Sequence, residues 1–100
     1  DLFQELVEIF LDDSPQMISA LRESLNNNDA DTFKRTAHSL KGMLRNFQAE
    51  SAAQTAFELE QIGGRGKLDG AEQVVDRLAA QLEEVSRKLK QVVKKISGSG

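Results

Sequence analysis

Cysteine is absent from the chain, which excludes disulfide frameworks, thiolate zinc sites, iron–sulfur clusters and thiol nucleophiles. Tryptophan and tyrosine are absent too, and there is a single proline. A chain poor in strand formers and rich in Ala, Leu, Glu, Gln, Lys and Arg favours helices almost throughout. No apolar run reaches the ~18 residues of a membrane span, and the first stretch lacks the pattern of a signal peptide. An excess of basic charge is also missing. The net charge of −3 and a pI near 5.1 remove nucleic acid from the expected partners of the whole surface. With 100 residues, 39% hydrophobic and 29% charged, the chain is one soluble domain able to bury a core without metal or disulfide. A cytoplasmic location is expected.

The apolar residues follow helical spacing. Leu2, Phe3, Leu6, Val7, Ile9, Phe10 and Leu11 open the chain in a helical rather than an alternating pattern. Ser14 before Pro15 reads as an N-cap followed by proline at the first helical position. Yet the phase Phe3, Val7, Phe10, Ser14, Ile18, Leu21, Leu25 runs through the proline unbroken, so two helices and one kinked helix both fit. Asn26-Asn27-Asn28 is a stop, and Asp29 the predicted N-cap of the next helix. That helix carries Phe33, Ala37, Leu40, Leu44 and Phe47 in one stripe. A further helix spans about Ala49 to Ile62, its small residues Ala49, Ala52, Ala53 and Ala56 allowing close packing. Gly63-Gly64-Arg65-Gly66 ends it. Asp69 with Glu72 resembles a capping box, opening a last helix from Gly70 to about Ile96. There Ala71, Val75, Leu78, Leu82, Val85, Leu89, Val92 and Ile96 keep a four-three rhythm, the seam of a bundle helix. The predicted fold is all-α: an antiparallel four-helix bundle with an additional N-terminal helical segment over residues 1–96. Residues 97–100, Ser-Gly-Ser-Gly, read as a flexible tail or a cloning scar. That tail and the abrupt start favour an excised module.

The chemistry gathers around the only histidine. With about 100° per residue, His38 points roughly 140° away from the apolar stripe of its helix, so it faces solvent. Gly42 lies one turn later on the same outer face. Lys34, Lys41 and Arg45 flank the histidine, and Arg35 lies beyond it on the other side. Residues 30 to 47 hold four basic side chains and one acidic, leaving −6 for the rest of the chain. An exposed imidazole among cations suits a nucleophile that accepts a phosphoryl group, with Lys and Arg holding its oxygens. A mid-helix glycine gives up ~1 kcal/mol relative to alanine, and at position 42 it leaves room for another protein's active site.

Thr36-Ala37-His38-Ser39-Leu40-Lys41-Gly42, then Ala49 to Ala56, Leu59-Glu60, Gly64-Arg65-Gly66-Lys67-Leu68 and Ala71 resemble the motifs of histidine-containing phosphotransfer (HPt) domains. The resemblance spans roughly residues 3 to 90. It implies a four-helix bundle whose exposed histidine shuttles phosphoryl groups between receiver-domain aspartates in two-component phosphorelays. Under it His38 is the phosphoacceptor, Lys41 contacts the phosphoryl group, and Gly42 gives a receiver clearance. Lys34, Arg45 and Arg35, placed around the histidine by helical angle, are expected to meet the partner. The sequence departs from the family pattern where Met43, Leu44 and Arg45 follow the glycine and where Gln48 replaces a further glycine. The expected partners are receiver domains and a sensor histidine kinase. No nucleic acid or membrane contact is expected, and the domain is expected to be a monomer, whether free or the cytoplasmic module of a membrane-bound kinase. No cofactor is implied. Gly63-Gly64-Arg65-Gly66 lacks the Lys-Ser/Thr and preceding strand of a phosphate-binding loop, so the module is expected to carry phosphate without an ATP site.

Two alternatives stand beside this reading: the phosphoacceptor domain of a chemotaxis-type kinase, and a non-catalytic scaffolding bundle. A metal-carboxylate bundle enzyme needs Glu-x-x-His pairs. Arg35 stands three residues before His38, so no metal site is expected. Lys41 is expected to be solvated, so that Lys41→Ala slows transfer and barely changes stability.

Overall fold

A computed structural model of the chain describes residues 1–98. These form α1 (Leu2–Asn26), α2 (Ala30–Asn46), α3 (Glu50–Gly64) and α4 (Ala71–Gly98), with no strand among the described residues. Short connections force antiparallel neighbours. The helices close into a ring: α1 packs on α2 and α4, α3 packs on α2 and α4, and α2 with α3 is the most extensive pair. Val7, Phe10, Leu21, Phe33, Leu40, Leu44, Leu59, Val75 and Leu78 fill the core.

The N-terminal segment is the first half of α1 and not a separate element. Asp1 caps the helix, its carboxylate accepting from the Phe3 N–H at 2.7 Å. Pro15 sits inside the helix and offers no N–H to the Leu11 carbonyl. Ser14, read from the sequence as an N-cap, is an interior residue only 3% exposed. The unbroken apolar phase decides the outcome, because ending the helix there would rotate Val7 and Phe10 out of the core that Leu21 shares.

Asp29 caps α2 as its sequence implies. Its carboxylate accepts from the Thr32 N–H at 3.2 Å and from the Thr32 hydroxyl at 2.7 Å. These bonds hold the Asp29 carboxyl below its usual range. At the other end of the chain, α4 begins at Ala71 after Gly70 at φ +78°. The start expected at Gly70 therefore falls one residue early. The helix continues through the first two residues of the expected tail, and residues 99–100 lie outside the described residues.

The seam of α4 is buried at Ala71, Val75, Leu78, Leu82 and Leu89, but Val92 and Ile96 are 43% and 47% exposed. At 28 residues α4 is about 42 Å long, against 15 residues in α3. Past Leu89 its apolar stripe outruns the helix that would cover it, which is why the molecule measures 50 × 18 × 17 Å.

The departure at Gln48 has a structural consequence. The Gln48 N–H bonds the Arg45 carbonyl at 3.0 Å and the Ala49 N–H bonds the Leu44 carbonyl at 3.1 Å, the paired bonds of a Schellman cap. This cap needs a left-handed residue, and Gln48 provides it at φ +55°, where a Cβ is disfavoured. Gln48→Gly is expected to raise stability by about 1 kcal/mol, seen as a higher urea midpoint. An unchanged midpoint would mean the turn carries no such strain.

Candidate phosphotransfer site

His38 and Lys41 stand one turn apart on α2, and Phe57 and Glu60 one turn apart on the facing side of α3. Residues three apart share a helix face, so the two pairs meet across the most extensive contact of the bundle. The Glu60 carboxylate bridges the α2 pair. One oxygen lies 2.8 Å from His38 Nδ1, and the other accepts from Lys41 Nζ at 2.6 Å. Lys41 Nζ also stands 5.0 Å from the centre of the Phe57 ring, within cation–π range.

Exposure divides the trio. The His38 side chain is 65% exposed, whereas those of Lys41 and Glu60 are only 12% and 17% exposed. The hydrogen bond from Lys41, reinforced by that from His38, holds the Glu60 carboxyl below its usual range despite burial. Glu60 is thus an ionised acceptor at neutral pH. An ionised carboxylate accepts only, so the proton of the neutral imidazole sits on Nδ1. Nε2 is left with a free lone pair.

The outward direction of His38 agrees with its angle from the α2 stripe. Lys41 does not behave as expected: its charge is paired and largely covered, not solvated. The helical angle placed it on a flank of α2, but one helix's angle carries no information about the neighbour packed against that flank. Lys41→Ala is accordingly expected to lower stability by about 1–3 kcal/mol, because it leaves a covered carboxylate short of its donor. The double variant Lys41→Met, Glu60→Gln should recover part of that loss. Because the Glu60 pKa is depressed in the fold, its contribution is complete above the ordinary carboxylate range. It is lost as pH falls through the lowered value. Denaturation midpoints of wild type and Lys41→Ala should therefore converge in acid; a constant gap would assign Lys41 a packing role alone.

Gly42 faces open space, for a Cβ built on it meets no atom within 4 Å. With His38, Ser39 and Met43 it borders a groove of about 440 Å³ between α2 and Leu6, Ile9 and Phe10 of α1. Leu6 and Ile9 are 42% and 51% exposed there. Met43 is partly buried and Arg45 exposed. The other expected contact residues are dispersed: Arg35 pairs with Asp31 at 3.2 Å, while no hydrogen bond or ion pair joins the Lys34 or Arg45 side chain to another described residue.

Sequence reasoning gave Glu60 no role beyond membership of a motif and overlooked Leu6 and Ile9 as surface. For the latter a signal existed. Leu2, Leu6 and Ile9, with Phe3, Val7 and Phe10, span more of a helix than one buried stripe accommodates.

Residues 5–88 match the family model for the Hpt domain. The chain belongs to the Hpt domain family. Among solved structures, the fold resembles histidine-containing phosphotransfer protein B from Pseudomonas aeruginosa PAO1 with a TM-score of 0.86 and 30% sequence identity. The match covers 90% of this chain and 78% of that one. No match is found among curated protein sequences. This Hpt domain has a histidine phosphotransfer role in a phosphorelay. Hpt domains carry phosphoryl groups in exchange with receiver domains and histidine kinases. No helix among the described residues is long and apolar enough to cross a membrane.

Proposed function

We propose that His38 is the phosphoacceptor and that its Nε2 takes the phosphoryl group from a receiver aspartyl phosphate. The observation carrying this reading is the Glu60 carboxylate on Nδ1. The Nε2 lone pair attacks phosphorus, the bond from phosphorus to the aspartate oxygen breaks, and the aspartate leaves as a carboxylate. Nδ1 keeps its proton throughout. The product ring is an imidazolium, whose positive charge faces Glu60 in a charge-assisted hydrogen bond. The reverse sequence hands the group to a second receiver. Lys41 holds Glu60 ionised and, with N–H bonds that Glu60 does not use, contacts the phosphoryl oxygens. Arg35, Arg45 and Lys34 meet the receiver's acidic surface. The module acts as a cytoplasmic monomer with no nucleotide site of its own and takes neither metal nor nucleic acid.

Incubation with a receiver phosphorylated by a small-molecule donor tests the reading. One acid-labile, alkali-stable phosphoryl group should move onto the chain. An acid-stable product would identify a hydroxyl acceptor, and no product would leave a scaffolding bundle.

The open ground over Gly42 and the exposed Leu6 and Ile9 supply the receiver's docking surface. Gly42→Gln should cut transfer from a receiver by about 10-fold or more, since small misplacements strongly reduce in-line attack. Labelling by phosphoramidate should change little. Equal losses with both donors would tie the glycine to the histidine's own reactivity.

A further inference from the structure

A second groove lies on the other side of α1, between α1 and α4, and His38 does not border it. Ser14, Pro15 and Ile18 form one wall, and Ala79, Leu82 and Ser86 the other. Its origin is legible in the side chains. Ser14 occupies a position of the α1 seam where the phase calls for a large apolar group. Ala79 and Ser86 face it with small ones. The seam is underfilled there, leaving a furrow of about 540 Å³, within the range of small-molecule sites.

The furrow has a polarity along its length. Ala79 and Leu82 lie towards one end of its α4 wall, and Arg87, Lys90 and Lys94 towards the other. From Ala79 to Lys94 the wall runs about 22 Å at the rise of an α-helix. No hydrogen bond or ion pair joins the side chains of Arg87, Lys90 or Lys94 to another described residue. Glu83 is the one acid on the rim. Residues 85 to 96 carry five basic and no acidic side chains, leaving −8 for the rest of the chain. The strongest concentration of positive charge in this acidic protein is therefore at one end of an apolar furrow, away from the phosphotransfer face.

We propose that this furrow binds a free single-chain amphipathic anion, with its alkyl chain over Ile18, Pro15 and Leu82 and its carboxylate or phosphate head between Lys90 and Lys94. An alkyl chain fills what the small residues leave open. The head group neutralises cations that have no hydrogen-bond or ion-pair partner among the described residues. Length, apolar floor and charge at one end together match such a ligand. A groove bounded by two intact helices and of this volume suits one chain better than an added helix. Because α1 presents separate sides to the furrow and to the His38 groove, the ligand and a receiver can bind together.

Laurate below its micellar concentration is the probe, followed by amide chemical shifts of the whole chain. Saturable shifts are expected at residues 14–18 and 79–94, with His38 and Gly42 unmoved. Affinity should rise roughly two- to fourfold for each methylene buried, from octanoate to laurate. Lys90→Glu with Lys94→Glu should weaken binding at least 10-fold. Ser86→Phe, which fills the furrow and keeps its charges, should abolish it while far-ultraviolet circular dichroism stays unchanged. Dodecyltrimethylammonium, with the same tail and the opposite charge, should give no saturable shifts at the furrow. Equal binding of both amphiphiles, shifts spread through the core, or a response only to anionic vesicles would each overturn the proposal. The last result would assign the basic end of α4 to a lipid surface.

Discussion

The variant His38→Gln is expected to accept no phosphoryl group from a receiver while keeping the wild-type fold. Glutamine offers an amide in place of the imidazole, and an amide nitrogen has no free lone pair for attack on phosphorus. Its N–H₂ can still donate to Glu60, so the carboxylate keeps two partners. The His38 side chain is 65% exposed, and substitutions at such positions usually change stability by about 0.5 kcal/mol or less. Helicity and urea midpoint should therefore match wild type while labelling falls to background. Undiminished labelling would place the acceptor elsewhere, whereas a large fall in midpoint would make His38 a packing residue. Far-ultraviolet circular dichroism is the suitable monitor, since the chain has no tryptophan or tyrosine.

Gly63→Ala is expected to destabilise the domain and slow transfer together, although alanine is the better helix former. A Cβ at Gly63 would stand 2.9 Å from both Cα and Cβ of Lys34 and 3.0 Å from its backbone N. Backbone cannot rotate away as a flexible side-chain tip can, so α2 and α3 must separate. Overpacking of this kind reduces stability by about 1–3 kcal/mol, which exceeds the gain of up to ~1 kcal/mol in helix propensity. Glu60 lies one turn before Gly63, so the separation lengthens the 2.8 Å contact with His38. Gly64 provides the control: it is the next residue, and a Cβ there meets nothing within 4 Å. Gly64→Ala should leave transfer intact and hold or raise the midpoint. Should both variants behave alike, the close approach at Lys34 would not set the helix spacing.

Several features were legible because they are properties of one helix at a time. Periodicity identified the helices, and Asp29 was readable as a cap because its bonds to Thr32 span three residues. The exposure of His38 followed from its angle to the stripe of Phe33, Ala37, Leu40 and Leu44. The same logic left Ser14 undecided between two helices and one, because a local N-cap signal competed with a phase extending over many residues. It failed at Val92 and Ile96, whose rhythm is that of a buried seam, because whether a seam is covered depends on the length of another helix.

Thus the sequence by itself determined an all-helical bundle, the outward imidazole with Gly42 beside it, and the family to which its motifs point. The helices and the outward imidazole rest on neighbours within a few turns of one chain segment, and the family rests on the order of such local motifs along the chain. Tertiary structure alone decided what the imidazole touches. Glu60 lies 22 positions from His38 and reaches it because α3 packs against α2 with Gly63 pressed to the Lys34 backbone. That packing converts Lys41 from a solvated flank into a covered partner of Glu60, while Leu6 and Ile9 of α1 stay exposed beside the site. Helical phase fixes the direction of a side chain from its own axis, but only the placement of a second axis decides whether that direction meets water, charge or core.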